Sequence, residues 1–83
     1  MKKSITRDEL YLIKVFELAI KLGDCFEEVD RYAVGQSMGQ NNKSVDNIVR
    51  MLAQTNFVRK GEGDNIFLTP QGLKYVETLK EPS

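Results

Sequence analysis

The spacing of apolar residues changes along this 83-residue chain, and the change limits which folds the chain can form. Up to about residue 55, apolar residues recur every three or four positions, as in amphipathic helices. Residues 57–60 and 65–68 are instead two short runs of β-forming residues on either side of Gly61 and Gly63. Helical spacing returns after Pro70. The pattern predicts a single α+β domain over residues 1–83, with helices around one β-hairpin.

Capping residues predict where the helices begin. Thr6 and Glu9 have the spacing of a capping box, in which a hydroxyl and a carboxylate satisfy backbone donors at a helix start. Asp30 and Asn41 are candidate N-caps further along the chain, and Thr69 precedes a proline suited to the first helical position. Together these signals predict helices over residues 6–22, 31–38, 42–54 and 70–80, with the hairpin over residues 57–68.

Glycine and asparagine predict the ends of the helices and the turns between them. Gly23 supplies a stop for the first helix. Gly39 lies where a tight turn between the second and third helices requires a positive φ, and Asn56 suits a left-handed C-terminal cap. Residues 25–29 are expected to form a short extended connection.

Two of the predicted helices carry clear apolar faces. In the third helix the apolar residues are Val45, Ile48, Val49 and Leu52, and the other side of the helix is polar. One face therefore packs, and the other is available to a partner. The first helix has a wider apolar stripe, much of which can be buried: Leu10, Leu12, Ile13, Val15, Phe16, Ala19, Ile20 and Leu22.

The reactive side chains of the chain argue against an enzyme. There is no histidine, the side chain most used for proton transfer and a common metal ligand. The single cysteine, Cys25, has no second cysteine with which to share a metal. Gly61 and Gly63 do not form a phosphate-binding loop, because no Lys-Ser or Lys-Thr follows them. We expect no catalytic residue, no metal site and no cofactor, and we interpret Cys25 as a small apolar filler beside Phe26.

The sequence predicts a soluble, cytoplasmic protein without a membrane segment. No apolar run approaches the roughly 18 residues that cross a bilayer. The start of the chain, Met-Lys-Lys, leads into polar residues instead of the apolar segment of a signal peptide. One cysteine cannot form an internal disulfide, which is typical of proteins in a reducing compartment.

Charge is distributed unevenly along the chain. The whole chain has 12 basic and 12 acidic residues and a net charge of zero. Residues 31–60 hold one acid, Asp46, and five basic residues, a local balance of +4: Arg31, Lys43, Arg50, Arg59 and Lys60. A positive patch of this size on a small domain favours a polyanionic partner, most often nucleic acid. The alternative is that the same residues form an ordinary solvated surface.

The order of elements and the residues between 31 and 50 resemble a known family. The order is helix, extended segment, helix, turn, helix, hairpin, helix. Small or apolar residues occupy the positions at which two helices cross closely: Val34, Gly35, Met38, Gly39, Val45 and Ile48. On these residues the chain resembles the winged helix-turn-helix DNA-binding superfamily, in the form found in small prokaryotic transcription regulators.

The stretch over residues 66–73 adds to this resemblance. It looks like the strand-to-helix junction of many bacterial and archaeal winged helix regulators, in which an apolar strand leads into Leu-Thr and then a glycine. Here Thr69 would cap the last helix, and Gly72 would let that helix pack close to the hairpin. The resemblance implies a three-helix core, a two-stranded hairpin called the wing, and a C-terminal helix.

The resemblance also implies a set of DNA-binding residues and sequence-specific binding of double-stranded DNA. In the family the third helix enters the major groove and the wing lies on the backbone or in the minor groove. The groove-facing positions correspond to Asn41, Asn42, Lys43, Asp46, Asn47 and Arg50. Asparagine pairs with adenine and arginine with guanine, while Asp46 would accept from cytosine or orient Arg50. The phosphate contacts would come from Ser44, from Arg59 and Lys60 at the base of the wing, and from Arg31.

The sequence leaves the partners open between alternatives. A homodimer through the first and last helices would present two reading helices to two half-sites, although the same apolar residues would equally close the monomer core: Tyr11, Leu12, Tyr75, Val76 and Leu79. A winged helix module that binds a protein instead of DNA is the alternative function, and the acidic wing tip, with Glu62 and Asp64, favours it. No small-molecule ligand is indicated.

Overall fold

The computed structural model describes residues 5–80 and has an α+β architecture. The ends of the domain predicted over residues 1–83 lie outside the described residues. Four helices and three strands follow one another in the order α1 Arg7–Leu22, β1 Val29–Asp30, α2 Arg31–Ser37, α3 Asn42–Gln54, β2 Val58–Lys60, β3 Asn65–Leu68 and α4 Pro70–Lys80.

Side-chain caps explain where the first three helices begin. At α1, the Glu9 backbone N–H donates to Thr6 Oγ1 at 3.2 Å and the Thr6 N–H donates to Glu9 Oε1 at 3.0 Å, which completes the predicted capping box. Asp30 and Asn41 accept backbone N–H groups at the starts of α2 and α3. Each cap satisfies a donor that has no partner within the helix.

The turn between α2 and α3 has the geometry that its residues predict. Gly39 has a φ of +73°, in the left-handed region that favours glycine. A Cβ at Gly35 would overlap a methyl group of Val45, so the two helices cross at a distance that only glycine permits there. Asn56, after α3, has a φ of +65°, as expected for a left-handed cap. These positions fix how α3 is oriented against α2 and where it ends.

The sheet has three strands, one more than the two-stranded wing that the sequence predicts. Its order is β1-β3-β2, and both pairs are antiparallel. The short extended connection predicted over residues 25–29 ends in β1: Val29 pairs with Ile66, and Asp30, the predicted N-cap, pairs with Asn65. A two-residue strand is too short to show a period in sequence, and it forms because β3 offers an open edge.

The buried face of α1 differs from the predicted stripe. Five residues of the helix are in the core: Tyr11, Leu12, Ile13, Val15 and Ala19. Leu10, Ile20 and Leu22, which the sequence pattern places in the buried stripe, are exposed. The stripe has more apolar residues than one face of a 16-residue helix can bury in so small a core.

Within residues 5–80, no helix has both the length and the apolar character needed to cross a membrane.

The apolar residues considered as a dimer surface close the core of the monomer. Tyr11, Leu12 and Val76 have no exposed surface. The ring of Tyr75 stacks on Phe57, with 4.6 Å between ring centroids and 8° between planes, and Leu79 packs against the core. These side chains therefore pack within the monomer.

Candidate nucleic-acid interface

The outer face of α3 is exposed and mostly polar, with one exposed apolar side chain, Met51. Lys43, Asn47 and Arg50 are spaced at i, i+4 and i+7, so they form one line on the helix surface, and Asn42 lies beside that line. All four are exposed. The opposite side of α3 is buried through the four apolar residues that the sequence predicts. The core thus fixes which side chains of α3 face outward.

Four cations on and near this face have no acidic partner. Within residues 5–80, Lys43, Arg50, Arg59 and Lys60 form no ion pair. Basic residues elsewhere behave differently: Lys14 and Lys80 both lie within 4 Å of Glu17, at 3.7 and 3.6 Å. The positive charge predicted for residues 31–60 is therefore largely left unneutralised by contact.

A cleft separates the outer face of α3 from the tip of the β2–β3 hairpin. It has a volume of about 640 Å³ and is open to solvent. Arg50 lines it from α3, Lys60 from the end of β2, and Asp64 from the hairpin tip. Arg31 and Asp46 also line it. We call this the α3–hairpin cleft; it brings together residues that are far apart in sequence.

Arg59 and Lys60, predicted together at the base of the wing, lie on opposite faces of the hairpin. Lys60 pairs with Ile66, which is fully buried, so Lys60 is on the side of the sheet that faces the core and the cleft. Arg59 pairs with Phe67 and is on the other side. Because β2 has three residues, Lys60 directly precedes the tip instead of lying at the root. Only Lys60 shares the cleft with α3.

Arg31, predicted to bind a phosphate, is held inside the protein. Its side chain is 11% exposed. Its Nε donates to the Asp64 carbonyl oxygen at 3.0 Å, and its Nη1 lies 3.7 Å from Asp46 Oδ1. These contacts use the guanidinium within the fold, so a phosphate contact would have to displace them.

Asp46 is likewise engaged by neighbours other than the one predicted. Its Oδ1 accepts a hydrogen bond from the Tyr32 hydroxyl at 2.9 Å and forms the ion pair with Arg31. The sequence suggested that Asp46 would orient Arg50 or accept from cytosine. The structure places it in a contact between α3 and the start of α2 instead. Tyr32 escaped the sequence analysis because its partner is 14 residues away, and no local spacing reveals such a pair.

Asn41 and Ser44 have local roles at the start of α3. Asn41 Oδ1 accepts the Ser44 backbone N–H at 2.8 Å, so the oxygen needed for bidentate pairing with adenine is occupied by the cap. Ser44 is half-buried. Of the ten predicted contact residues, six are exposed and are seen in no side-chain hydrogen bond or ion pair within residues 5–80: Asn42, Lys43, Asn47, Arg50, Arg59 and Lys60.

The hairpin tip is braced by an acid that the sequence analysis did not single out. Glu28 Oε1 accepts the Glu62 backbone N–H at 3.0 Å and the Asn65 amide at 3.3 Å. A Cβ at Gly61 would overlap the Glu28 carboxylate, so a larger residue there would displace that carboxylate from these bonds. Glu62 and Asp64 are exposed at the tip. The tip is therefore acidic, in contrast to the outer face of α3.

The single cysteine, Cys25, lies in the turn that follows α1 and is partly buried. Burial, together with neighbouring Asp24, raises the pKa of the Cys25 thiol. A raised pKa leaves less of the nucleophilic thiolate at neutral pH. Among the described residues, no group of three or more acidic or cysteine side chains is arranged to hold a metal ion.

Hydrogen bonds of the three tyrosines predict the response of the protein to alkaline pH. The Tyr32 hydroxyl donates to Asp46 and that of Tyr75 to Glu9, and these bonds to carboxylates are the main cause of the raised pKa of both phenols. Burial is the main cause of the raised pKa of Tyr11, whose hydroxyl donates to the Arg31 carbonyl oxygen at 2.8 Å. Each pKa is thus higher in the folded than in the unfolded chain.

A raised folded pKa stabilises the fold at all pH values below the unfolded pKa of about 10, and that stability is lost as pH rises through the folded pKa values. We expect the tyrosines to ionise above about pH 10, together with unfolding, when absorbance and circular dichroism are followed in one titration. The urea-unfolded chain is the control and should titrate near its normal pKa. Full ionisation of the folded protein near that value would contradict the hydrogen bonds described.

No family model, curated protein or solved structure matches the chain. The basis for assigning a function is therefore the charge, exposure and geometry of residues 31–60.

Proposed function

We propose that this chain is a winged helix protein that binds double-stranded DNA sequence-specifically, as a small transcription regulator of the prokaryotic type. The observation that carries the proposal is the exposed line of Lys43, Asn47 and Arg50 on α3, with Lys60 across the α3–hairpin cleft and no acid paired to any of these cations. A cytoplasmic location goes with this function.

The dimensions of α3 suit the major groove. A helix of 13 residues is about 20 Å long, and the groove of B-form DNA is about 12 Å wide and admits one helix. Arg50 has the planar donor fork that pairs with the O6 and N7 atoms of guanine, and Asn47 has the donor and acceptor that pair with adenine. Lys43, near the helix start, suits either guanine or a phosphate. The exposed side chains on this line therefore provide both base recognition and backbone attraction.

The hairpin contributes one cation to the same side of the molecule. Lys60 faces the cleft, where a DNA backbone passing beside α3 would meet it. Asp64 lines the same cleft and Glu62 is exposed at the same tip, and both would be repelled by phosphates, so the tip weakens the attraction that Lys60 provides. Arg59 lies on the outer face of the hairpin and would contact DNA only if the duplex bends around the sheet.

The number of available cations implies that more than one copy binds. Each phosphate contact contributes about 0.9 to the slope of log affinity against log salt, so the three cations Lys43, Arg50 and Lys60 predict a slope of about 3 at most for one copy on an unbent duplex. That corresponds to weak binding at physiological salt. We therefore propose a homodimer on two half-sites, although the first- and last-helix residues considered for its interface are used by the monomer core.

A protein-interaction module remains the second candidate, and the acidic hairpin tip favours it. Asp64 lines the cleft together with Lys60, and Glu62 is exposed at the same hairpin tip, so the two acids weaken the positive field at that end. The outer face of α3 counts against this candidate, because protein-binding surfaces have apolar centres, whereas this face has asparagines, a lysine and an arginine and only Met51 as an exposed large apolar residue.

Selection from a pool of random duplex DNA tests the proposal. The full chain is mixed with the pool at low salt, and bound DNA is recovered and sequenced over several rounds. We expect an enriched motif, and for a dimer two copies of it spaced by about 10 base pairs or a multiple. Recovery of the input distribution, with no retained duplex at low salt, would contradict DNA binding and favour the interaction module.

A further inference from the structure

Arg31 joins three parts of the fold through its backbone and its side chain. Its backbone N–H and its Nε both donate to the carbonyl oxygen of Asp64, at 3.3 and 3.0 Å. Its Nη1 pairs with Asp46 on α3 at 3.7 Å. Its own carbonyl oxygen accepts the buried Tyr11 hydroxyl from α1. The residue thus bonds to the hairpin tip, to α3 and to the core at once.

We propose that Arg31 is a positioning residue that fixes the hairpin tip relative to α3 and so sets the width of the α3–hairpin cleft between Arg50 and Lys60. The coupling itself concerns the free protein. Its consequence for DNA, a loss of affinity when the two cations are no longer held at one spacing, rests on the proposed function.

The other contacts of the tip do not reach α3. Glu28 bonds to the Glu62 N–H and to the Asn65 side chain, which ties the tip to the segment before β1. The turn is closed by backbone bonds from Gly61 to Asn65 and from Asn65 to Glu62, both 2.8 Å. Within residues 5–80, Arg31 is the side chain seen to bond both to the tip and to α3.

The chemistry of arginine explains why this position needs it. A guanidinium presents N–H donors in a rigid plane, so Nε and Nη1 can be directed at two acceptors on different elements. A lysine ammonium has the same charge but one nitrogen at the end of a flexible chain. It can keep the attraction to Asp46 or reach the Asp64 carbonyl, but it cannot hold both in the observed geometry. The Arg31→Lys substitution therefore keeps the charge and removes the two-point contact, so it distinguishes a positioning effect from an effect of charge.

Amide hydrogen exchange in the free, full-length protein tests the coupling. We expect Arg31→Lys to accelerate exchange at the amides of Gly61 and Asn65 by about tenfold relative to wild type, because the tip opens more often. Exchange in the buried part of α3 should not change. Arg59→Lys is the matched control, since Arg59 is an exposed arginine on the same hairpin without an ion pair, and it should leave the tip unchanged. Equal exchange in wild type and Arg31→Lys would overturn the proposal.

The salt dependence of duplex binding distinguishes positioning from direct contact. A positioning residue predicts that Arg31→Lys and Arg31→Ala both weaken binding to the selected duplex about tenfold or more, with the slope against salt unchanged. A phosphate-binding residue predicts that Arg31→Lys binds like wild type and that Arg31→Ala lowers the slope by about 0.9. The second pattern would contradict the proposal. If wild type binds no duplex, the proposed function fails, while the exchange experiment still decides whether Arg31 positions the tip.

Discussion

Replacement of Arg50 by alanine is expected to weaken binding to the selected duplex by about 1–3 kcal/mol, or about 5- to 150-fold. Arg50 is exposed at the end of the line on α3 and also lines the α3–hairpin cleft. The substitution removes the donor fork that would pair with guanine, and no neighbouring side chain on that line can replace it. Fluorescence anisotropy of a labelled duplex at one fixed salt concentration measures the change.

Two further variants show whether the loss of affinity comes from the charge of Arg50 or from its donor fork. Lys74→Ala removes one exposed charge from α4, outside the proposed interface, and should change affinity little. Arg50→Lys retains the charge without the fork, so it should lose discrimination between guanine and other bases while keeping part of the affinity. Equal effects of Arg50→Ala and Lys74→Ala would mean that Arg50 acts only through net charge, which contradicts base recognition.

Replacement of Gly72 by alanine is expected to lower the free energy of unfolding by about 3 kcal/mol. A Cβ at this position would overlap the carbonyl oxygen of Phe57, which is backbone and cannot move aside as a side chain would. The Gly72 N–H also donates to Thr69 Oγ1 at 2.9 Å, and the Thr69 hydroxyl in turn donates to the Asn56 carbonyl oxygen. Moving α4 to relieve the overlap would break this buried connection.

Urea denaturation followed by circular dichroism measures the effect of Gly72→Ala. Lys74→Ala, two residues further along α4 and exposed, should change stability by less than about 0.5 kcal/mol. The helix propensity of alanine exceeds that of glycine by about 1 kcal/mol, so a helix free of the overlap would gain stability from the substitution. A Gly72→Ala variant as stable as wild type would therefore show that α4 does not approach Phe57 this closely.

Features that depend on near neighbours in sequence were predictable. The capping box of Thr6 and Glu9 and the left-handed conformation of Asn56 depend on side chains and backbone within three or four residues of one another. The apolar face of α3 was equally clear, because Val45, Ile48 and Leu52 follow one helical period. Such local rules place the polar face of α3 outward before any tertiary contact is known.

Features that depend on residues far apart in sequence could not be predicted. β1 exists because Val29 pairs with Ile66, which is 37 positions later in the sequence. Its two residues alone do not predict a strand. The width of the apolar stripe on α1 did not reveal which part of it the core covers, so Leu10 and Ile20 were wrongly placed inside. Burial is decided by how α1 packs against the other elements, which no single helix encodes.

The candidate site shows the same division. Exposure of Lys43, Asn47 and Arg50 followed from the period of α3. The engagement of Arg31 and Asp46 did not, because their contacts join distant residues: Tyr32 is 14 positions from Asp46, and Arg31 is 33 positions from Asp64. Charge counted along the sequence treats Arg31 and Arg50 alike, whereas in the structure the Arg31 guanidinium bonds to Asp64 and pairs with Asp46, and Arg50 is exposed without an ion pair among residues 5–80.

Binding of a random-sequence duplex over a range of salt concentrations, compared between two double variants of equal charge, tests the central claim most directly. Lys43→Ala/Arg50→Ala removes two cations from the outer face of α3, and Lys21→Ala/Lys74→Ala removes two exposed cations from α1 and α4, where the described residues show no ion pair to them. We expect the α3 variant to lose most of the affinity and about 2 units of the salt slope, and the control to resemble wild type. Equal losses in both variants, or no binding by wild type at low salt, would contradict the account.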